Sequence, residues 1–179
     1  MTRPALTVSL HLAGQRVLLV GNDEAAGDRA ARLSAAGADL IRVDAADWTA
    51  DRAHGATAVL AHTGEPDMDR RIAADARAAG ALAYAHDQPA VSDFGLPSVA
   101  HRGPLTLTVA TDGRAPALAR RLRIELARLL ADAGPALDAL LAELQRLRVA
   151  LPPGPERAEA LRRLADRLRI AGSIVIDDG

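Results

Sequence analysis

Two aspartates that follow short apolar runs are the residues of this sequence best placed to do chemistry. Asp44 follows the run 40–43, and Asp87 comes two residues after the run 82–85. A carboxylate at the end of a buried strand can bind a ribose hydroxyl or act as a general acid or base. Aspartate is also a common turn residue. Both interpretations therefore stay open for each aspartate.

The turn after the run 17–20 carries Gly21, Asn22 and Asp23. A Rossmann domain places its pyrophosphate loop here, with the pattern G-x-G-x-x-G, of which this chain keeps only the first glycine. Asn22 tolerates positive φ better than most residues, whereas the Asp23 carboxylate faces the pyrophosphate and hinders close approach of the backbone. Asp44 lies 23 positions after Gly21, near the roughly 20 expected for the acid that holds the ribose. The loop predicts either a dinucleotide site or a helix cap.

The composition excludes several classes of site. The 179 residues include no cysteine and no lysine, which removes disulfides, cysteine zinc sites, the P-loop lysine and Schiff-base chemistry. A net charge of −1 and only three aromatic residues offer nothing to nucleic acid or to an anionic membrane. We predict no metal site, because four histidines lack metal-ligand spacing and are expected at the surface or at an edge: His11, His54, His62 and His101.

The chain shows no targeting or membrane-spanning pattern. Residues 1–14 do not have the apolar stretch and cleavage site of a signal peptide. No run approaches the roughly 20 apolar residues that a membrane span needs. We therefore expect a cytoplasmic protein.

Apolar runs alternate with amphipathic segments through the first half of the chain. The predicted buried strands are 17–20, 40–43, 56–61 and 82–85, and the predicted helices are 24–36 and 67–79. This alternation predicts an α/β fold with a Rossmann-like parallel sheet and right-handed crossovers. Asp87 then falls at the carboxyl edge of the sheet, where open α/β folds bind their ligands.

The second half of the sequence is mainly helical. The run 105–110 alternates with threonine as a half-exposed strand does. Leucine rows then predict three helices, which start at Pro116, near Leu137 and after Pro155. The tail 173–179 either pairs as a short strand or extends freely. Because so many leucines on a lone helical arm would be exposed, part of this surface is expected to pack on another subunit.

Several motifs are specific enough to indicate a family. The segment from Leu10 to Gly21 has the form L-x-L-x-G-x-R-V ahead of a glycine turn, and Ala61 to Thr63 is close to A-A-T. The richest stretch contains, in order, Asp87-Gln88-Pro89, Asp93-Phe94, Pro97-Ser98, Arg102-Gly103-Pro104-Leu105 and the run from Thr111 to Arg123. These motifs resemble the precorrin-2 dehydrogenase and sirohydrochlorin ferrochelatase family, the amino-terminal module of siroheme synthases.

The resemblance implies an NAD-dependent oxidation of precorrin-2 to sirohydrochlorin, with insertion of a divalent metal by the same pocket in some members. It implies that Asp87 is the general acid/base and that the chain is a homodimer. It divides the chain into an NAD-binding domain, 1–113, and a helical dimerisation and tail region, 114–179. The implied cofactor contacts are Gly21, Asn22, Asp23, Glu24, Ala25, Asp44, Ala45, Ala46 and Thr63. The implied tetrapyrrole contacts are Ser98, Thr111, Gly113 and Arg114.

The sequence departs from the family pattern at the cofactor loop. The family's G-G-G is Gly21-Asn22-Asp23 here, its paired acids are Gly64-Glu65, and its asparagine ahead of the active aspartate is Tyr84. The alternative is therefore a tetrapyrrole-binding or chelatase-only homologue that has lost NAD. A nucleotide-binding regulatory domain without porphyrinoid affinity is a third interpretation. The resemblance gives His86 no catalytic part, so its replacement is expected to cost much less than that of Asp87.

Overall fold

The computed structural model describes residues 6–22 and 24–171, and at Glu24 and Ala25 it describes the backbone alone. Contacts between Cα atoms divide these residues into two units. The first unit takes the chain up to Pro97 together with Ala110–Pro116, and the second takes Ser98–Val109 and the chain from Ala117 onward.

The first unit is a four-stranded parallel sheet with the strand order β2-β1-β3-β4. Its strands are β1 (Arg16–Val20), β2 (Asp39–Val43), β3 (Ala58–Ala61) and β4 (Leu82–Ala85), and its helices are α1 (Glu24–Ala35) and α2 (Pro66–Ala78). Two 3-10 turns, Ala45–Asp47 and Ala50–Ala53, connect β2 to β3. Strand β2 lies on one side of β1, and the chain then crosses back to form β3 on the other side of β1. The direction in which strands are added therefore reverses between β1 and β3. Open α/β sheets bind ligands outside the carboxyl ends of such strands.

The central position of β1 in the sheet explains why its sequence is continuously apolar. Val17 and Leu19 pack on one face of the sheet with Ala26 of α1, whereas Leu18 and Val20 pack on the other face with Ile72 of α2. Side chains alternate between the faces of a strand, so covering both faces by helices requires every residue to be apolar.

The second unit combines an antiparallel hairpin with three helices. Its elements are β5 (Ser98–Arg102), β6 (Leu105–Val109), α3 (Pro116–Asp132), α4 (Gly134–Ala150) and α5 (Pro155–Ala165). Buried Ala100, Leu130 and Leu137 join β5, α3 and α4 in one core. Arg102 donates two hydrogen bonds to Asp138, from Nε to Oδ1 at 2.9 Å and from Nη2 to Oδ2 at 2.7 Å. These side-chain hydrogen bonds lower the pKa of Asp138.

The predicted α/β, Rossmann-like class is confirmed, and so is the helical region that follows. The apolar periodicity does not predict strand β5, although the Gly103-Pro104 pair between β5 and β6 is a turn signature. The contacts place the hairpin with the helices, so the two units are not contiguous in sequence. The boundary at residue 113 between functional domains stays a prediction, and the tail 173–179 lies outside the described residues.

Candidate active site at the carboxyl edge of the sheet

Gly21 occupies the point where the strand order reverses. Its φ is +115°, and a Cβ placed on it would lie 1.9 Å from the carbonyl oxygen of His62. The same backbone is tied together directly, because the His62 amide donates to the Val20 carbonyl at 2.8 Å. Only glycine fits where the backbone after β1 approaches the backbone after β3 so closely, which explains why the first glycine of the fingerprint is present.

Asn22 and Asp44 form the next part of this edge. The Asn22 amide Nδ2 donates to Asp44 Oδ1 at 3.2 Å, and both side chains are exposed. Asn22 does not use the left-handed region that the sequence allows it, since the described non-glycine residues with positive φ are Asp87 and Asp112. A cavity of about 130 Å³ opens here and is lined by Gly21, Asn22, Arg42, Val43 and Asp44.

The other predicted cofactor residues lie around this loop. Ala45 and Ala46 form the 3-10 turn that follows Asp44. Glu24 and Ala25 open α1, and Asp23 lies outside the described residues. The structure therefore places Glu24 and Ala25 after β1, and Ala45 and Ala46 after β2.

Thr63 follows β3 and is fixed by the next helix. Its backbone amide and its hydroxyl donate to Asp69 Oδ1, at 2.9 Å and 2.7 Å. Asp69 lies in the first turn of α2 and is only 3% exposed. A buried carboxylate that accepts two hydrogen bonds is satisfied, and it holds the loop after β3 in one conformation.

The loop after β4 presents Asp87 to solvent. Asp87 has φ of 52°, a conformation that aspartate tolerates better than most residues, and its side chain is 88% exposed. Two side chains that follow the loop satisfy amides of the edge strand β4: Ser92 Oγ accepts from the Ala85 amide at 3.0 Å, and Asp93 Oδ2 accepts from the Ala83 amide at 2.9 Å. The neighbouring Gln88 bonds twice to α2, since its Oε1 accepts from Arg70 and its Nε2 donates to the Pro66 carbonyl. Asp87 is thus held on a fixed backbone.

Aromatic and cationic side chains gather beside Asp87. The His86 ring stacks on the His62 ring with centroids 3.8 Å apart, and His86 Nε2 lies 3.5 Å from Asp87 Oδ2. On the other side of the ring, His86 Nδ1 lies 3.1 Å from Arg29 Nη2 and 3.4 Å from the Tyr84 hydroxyl. Arg29 also lies over the Tyr84 ring, 4.7 Å from its centroid. The carboxyl ends of β3 and β4 and helix α1 thus contribute side chains to one cluster at this edge of the sheet.

Tyr84 is neutral in this cluster. Burial raises the pKa of its phenol, and the charge of Arg29 opposes that rise. A neutral phenol keeps a proton that it can donate to a neighbouring acceptor.

The predicted tetrapyrrole contacts lie in two places. Thr111, Gly113 and Arg114 form a tight turn of the first unit, in which the Arg114 amide donates to the Thr111 carbonyl at 2.9 Å. Ser98 is the first residue of β5 and belongs to the second unit. Their part in substrate binding stays a prediction.

Part of the Asp87 cluster is not predicted by the sequence. His62 lies at the edge of the sheet, as expected, but it is only 2% exposed, and the His86 ring stacks on it. Arg29 and Tyr84 were not expected near His86 as a group. Arg29 is separated from His86 by 57 positions, and no local pattern reports such a contact. The available sign was a histidine directly after each of two parallel, adjacent strands, since such residues meet at one edge.

Comparison with known protein families matches both units. Residues 8–98 match a family model described as "Putative NAD(P)-binding". Residues 102–129 match the model of the sirohaem biosynthesis protein central domain. Within residues 6–22 and 24–171, no helix is both long and apolar enough to cross a membrane.

Curated relatives include siroheme synthases. Siroheme synthase 1 of Aeromonas salmonicida is 34% identical over 91% of this chain and 40% of its own length. Siroheme synthase of Chromobacterium violaceum is 34% identical over 69% of this chain and 30% of its own length. The chain therefore spans less than half the length of these relatives.

A solved structure shares the fold. SirC, precorrin-2 dehydrogenase, superposes with a TM-score of 0.67 at 20% identity, and the match covers 89% of each chain. The family description agrees with the predicted nicotinamide cofactor. The resemblance stated from the sequence motifs is confirmed by these matches, and the chain belongs to the "Putative NAD(P)-binding" family whose model spans residues 8–98.

Proposed function

We propose that this chain is a precorrin-2 dehydrogenase that oxidises precorrin-2 to sirohydrochlorin with NAD. The observation that carries the proposal is the exposed Asp87 carboxylate, held at the carboxyl edge of a Rossmann-like sheet. The similarity to siroheme synthases and to a precorrin-2 dehydrogenase structure supports the substrate class. The predicted cytoplasmic location belongs to the same proposal.

Asp87 would accept the proton that the oxidation releases. Forming one new double bond in the macrocycle removes two electrons and two hydrogen nuclei, one as hydride and one as a proton. A carboxylate within reach of the ring carbons and nitrogens suits the second task. Arg114 would pair with a carboxylate substituent of the substrate, because a guanidinium binds carboxylates in a two-pronged geometry.

The residues at the ends of β1 and β2 fit a dinucleotide. Gly21 allows the sharp turn after β1, and Asp44 presents a carboxylate to the 130 Å³ cavity beside it. Asp44 would accept hydrogen bonds from a ribose, and Asn22 would orient that carboxylate through the bond at 3.2 Å. Bound there, NAD supplies the hydride acceptor of the reaction.

Asp44→Ala is expected to weaken NAD binding about tenfold or more, because hydrogen bonds to a charged acceptor contribute about 1.5–3 kcal/mol. Titration calorimetry of the wild-type chain and the variant measures this change. Asp39→Ala is the matched control, since Asp39 starts the same strand at the opposite edge of the sheet. Equal NAD affinity in Asp44→Ala and wild type would contradict this assignment of the ribose site.

A second function is favoured by one contact. Asn22, which stands where the resemblance implies a glycine, donates a hydrogen bond from Nδ2 to Asp44 Oδ1. One oxygen of the carboxylate therefore already accepts a hydrogen bond within the protein. A tetrapyrrole-binding or chelatase-only protein without NAD is the corresponding candidate, and its substrate would include a divalent metal. It predicts retained sirohydrochlorin binding without NAD binding at millimolar concentration.

An absorbance assay with precorrin-2 and NAD tests the dehydrogenase directly. We expect NADH and sirohydrochlorin to appear together, in equal amounts, only when protein is present. Tetrapyrrole binding without NADH formation would favour the chelatase-only candidate. Absence of any tetrapyrrole binding would favour a nucleotide-binding regulatory domain.

We also propose that the chain is a homodimer formed through its second unit. Large apolar side chains of that unit are exposed: Leu118, Leu129, Val149 and Leu168. Covering them by a second copy removes apolar surface from water. Light scattering at micromolar concentration should give twice the chain mass of 18.7 kDa. A mass equal to that of one chain would contradict the dimer.

A further inference from the structure

The contacts of the His86 ring define which of its nitrogens carries the proton. Arg29 Nη2 lies 3.1 Å from Nδ1. A guanidinium has only donors, so Nδ1 must be the acceptor in this contact. A neutral imidazole that accepts at Nδ1 carries its proton on Nε2.

The proton on Nε2 points to the side of the ring where Asp87 lies. His86 Nε2 is 3.5 Å from Asp87 Oδ2. This separation is longer than a hydrogen bond, and such contacts commonly tighten when substrate binds. The Nε2–H group would then hold one carboxylate oxygen and leave the other oxygen of Asp87 for the substrate.

Two contacts fix the His86 ring in its plane, and the contact with Arg29 disfavours a positive charge on it. The buried His62 ring stacks on it at 3.8 Å, and the Arg29 guanidinium touches its other nitrogen. Adding a charge to His86 would place two cations in contact in a partly buried site, which is unfavourable. The neutral Tyr84 phenol and the Asp87 carboxylate also face the ring.

We infer that His86 is a positioning residue for Asp87, held in its Nε2–H form by Arg29. This inference rests on the proposed dehydrogenase function and assigns the proton transfer to one carboxylate. His86 is not itself the base, because Arg29 occupies the lone pair on Nδ1 and Nε2 already carries a proton. The expected contribution of His86 is therefore smaller than that of Asp87 and acts through it.

Two substitutions at position 86 separate this role from packing. His86→Phe keeps a flat ring against His62 but removes both nitrogens, and we expect kcat to fall about tenfold to a hundredfold with little change in either KM. His86→Gln retains an acceptor for Arg29 and a donor for Asp87, so it should recover most of the activity. His54→Phe is the control, since His54 is an exposed histidine of the same unit.

Nitrogen-15 NMR of the His86 ring gives a readout that does not depend on activity. At pH of about 8.5, where an ordinary imidazole is neutral, we expect the Nε2–H form in the wild-type chain. In Arg29→Met this preference should be lost, because Nδ1 no longer faces a fixed donor. Finding the Nδ1–H form in the wild-type chain would overturn the inference.

The outcomes distinguish this inference from the proposed function. If the wild-type chain is active and His86→Phe has the same kcat, the positioning role of His86 is refuted while the dehydrogenase function stands. Equal losses in His86→Phe and Asp87→Asn would mean that both groups transfer the proton, which also overturns a positioning role. An inactive wild-type chain would refute the dehydrogenase and the role together, whatever form the ring takes.

Discussion

Asp87→Asn is expected to lower the rate of precorrin-2 oxidation by about 10²–10⁴-fold, the range typical for loss of a general base. The substitution keeps the size of the side chain but removes the proton acceptor. Asparagine also tolerates the φ of 52° at this position, so the backbone of the loop should not change. Because the side chain is 88% exposed, the midpoint of thermal unfolding should stay the same.

Steady-state kinetics and a tetrapyrrole binding titration together check this expectation. The variant should bind the substrate nearly as tightly as wild type while its kcat falls. Asp51→Asn makes the same chemical change at an exposed carboxylate of the 3-10 turn before β3, and it should leave both quantities unchanged. A rate within a factor of about two of wild type in Asp87→Asn would show that Asp87 is only a turn residue.

The sequence predicts the sheet well because burial on both faces leaves a local pattern. The continuous apolar run from Val17 to Val20 indicates β1, and glycines 37 and 80 mark the ends of the helices. Asp44 and Asp87 were placed at the carboxyl edge for the same reason, since each follows a strand directly or by one residue. Local periodicity was therefore enough to position the two carboxylates.

The cluster around Asp87 depends on contacts between distant parts of the chain. Arg29 reaches His86 from helix α1, and His62 reaches it from the neighbouring strand β3. A histidine directly after each of two adjacent parallel strands indicates the His62 contact, whereas the Arg29 contact has no signature in the spacing of residues along the sequence. The role inferred for His86 depends on such neighbours, so local sequence patterns do not predict it.

The sequence predicts strand β6 of the hairpin but not strand β5, because only β6 shows a clear alternation of apolar and polar residues. Strand β6 alternates Leu and Thr, which is typical of a strand with one exposed face. Strand β5 is Ser-Val-Ala-His-Arg, in which the buried Ala100 is small and the alternation is weak. Its pairing with β6 supplies the stability that its own sequence does not indicate.

The second large effect is the loss of stability expected on replacing Gly21 by alanine, and Gly27→Ala is its control. Gly27 lies within helix α1, and a Cβ added there meets nothing within 4 Å. Alanine in a helix interior is favoured over glycine by about 0.5–1 kcal/mol. We therefore expect Gly27→Ala to be neutral or slightly stabilising in urea unfolding.

Gly21→Ala is expected to destabilise the protein by roughly 2–6 kcal/mol, because backbone strain and overpacking each cost about 1–3 kcal/mol. The new Cβ would lie 1.9 Å from the carbonyl oxygen and 2.6 Å from the carbonyl carbon of His62, and neither atom belongs to a flexible side chain. Moving His62 away would weaken its 2.8 Å hydrogen bond to Val20 and shift the ring that supports His86. Urea unfolding should therefore show a lower midpoint, and any protein that stays folded should lose dehydrogenase activity. A stability within about 0.5 kcal/mol of wild type would mean that Gly21 and the His62 carbonyl do not lie as close together as the structure places them.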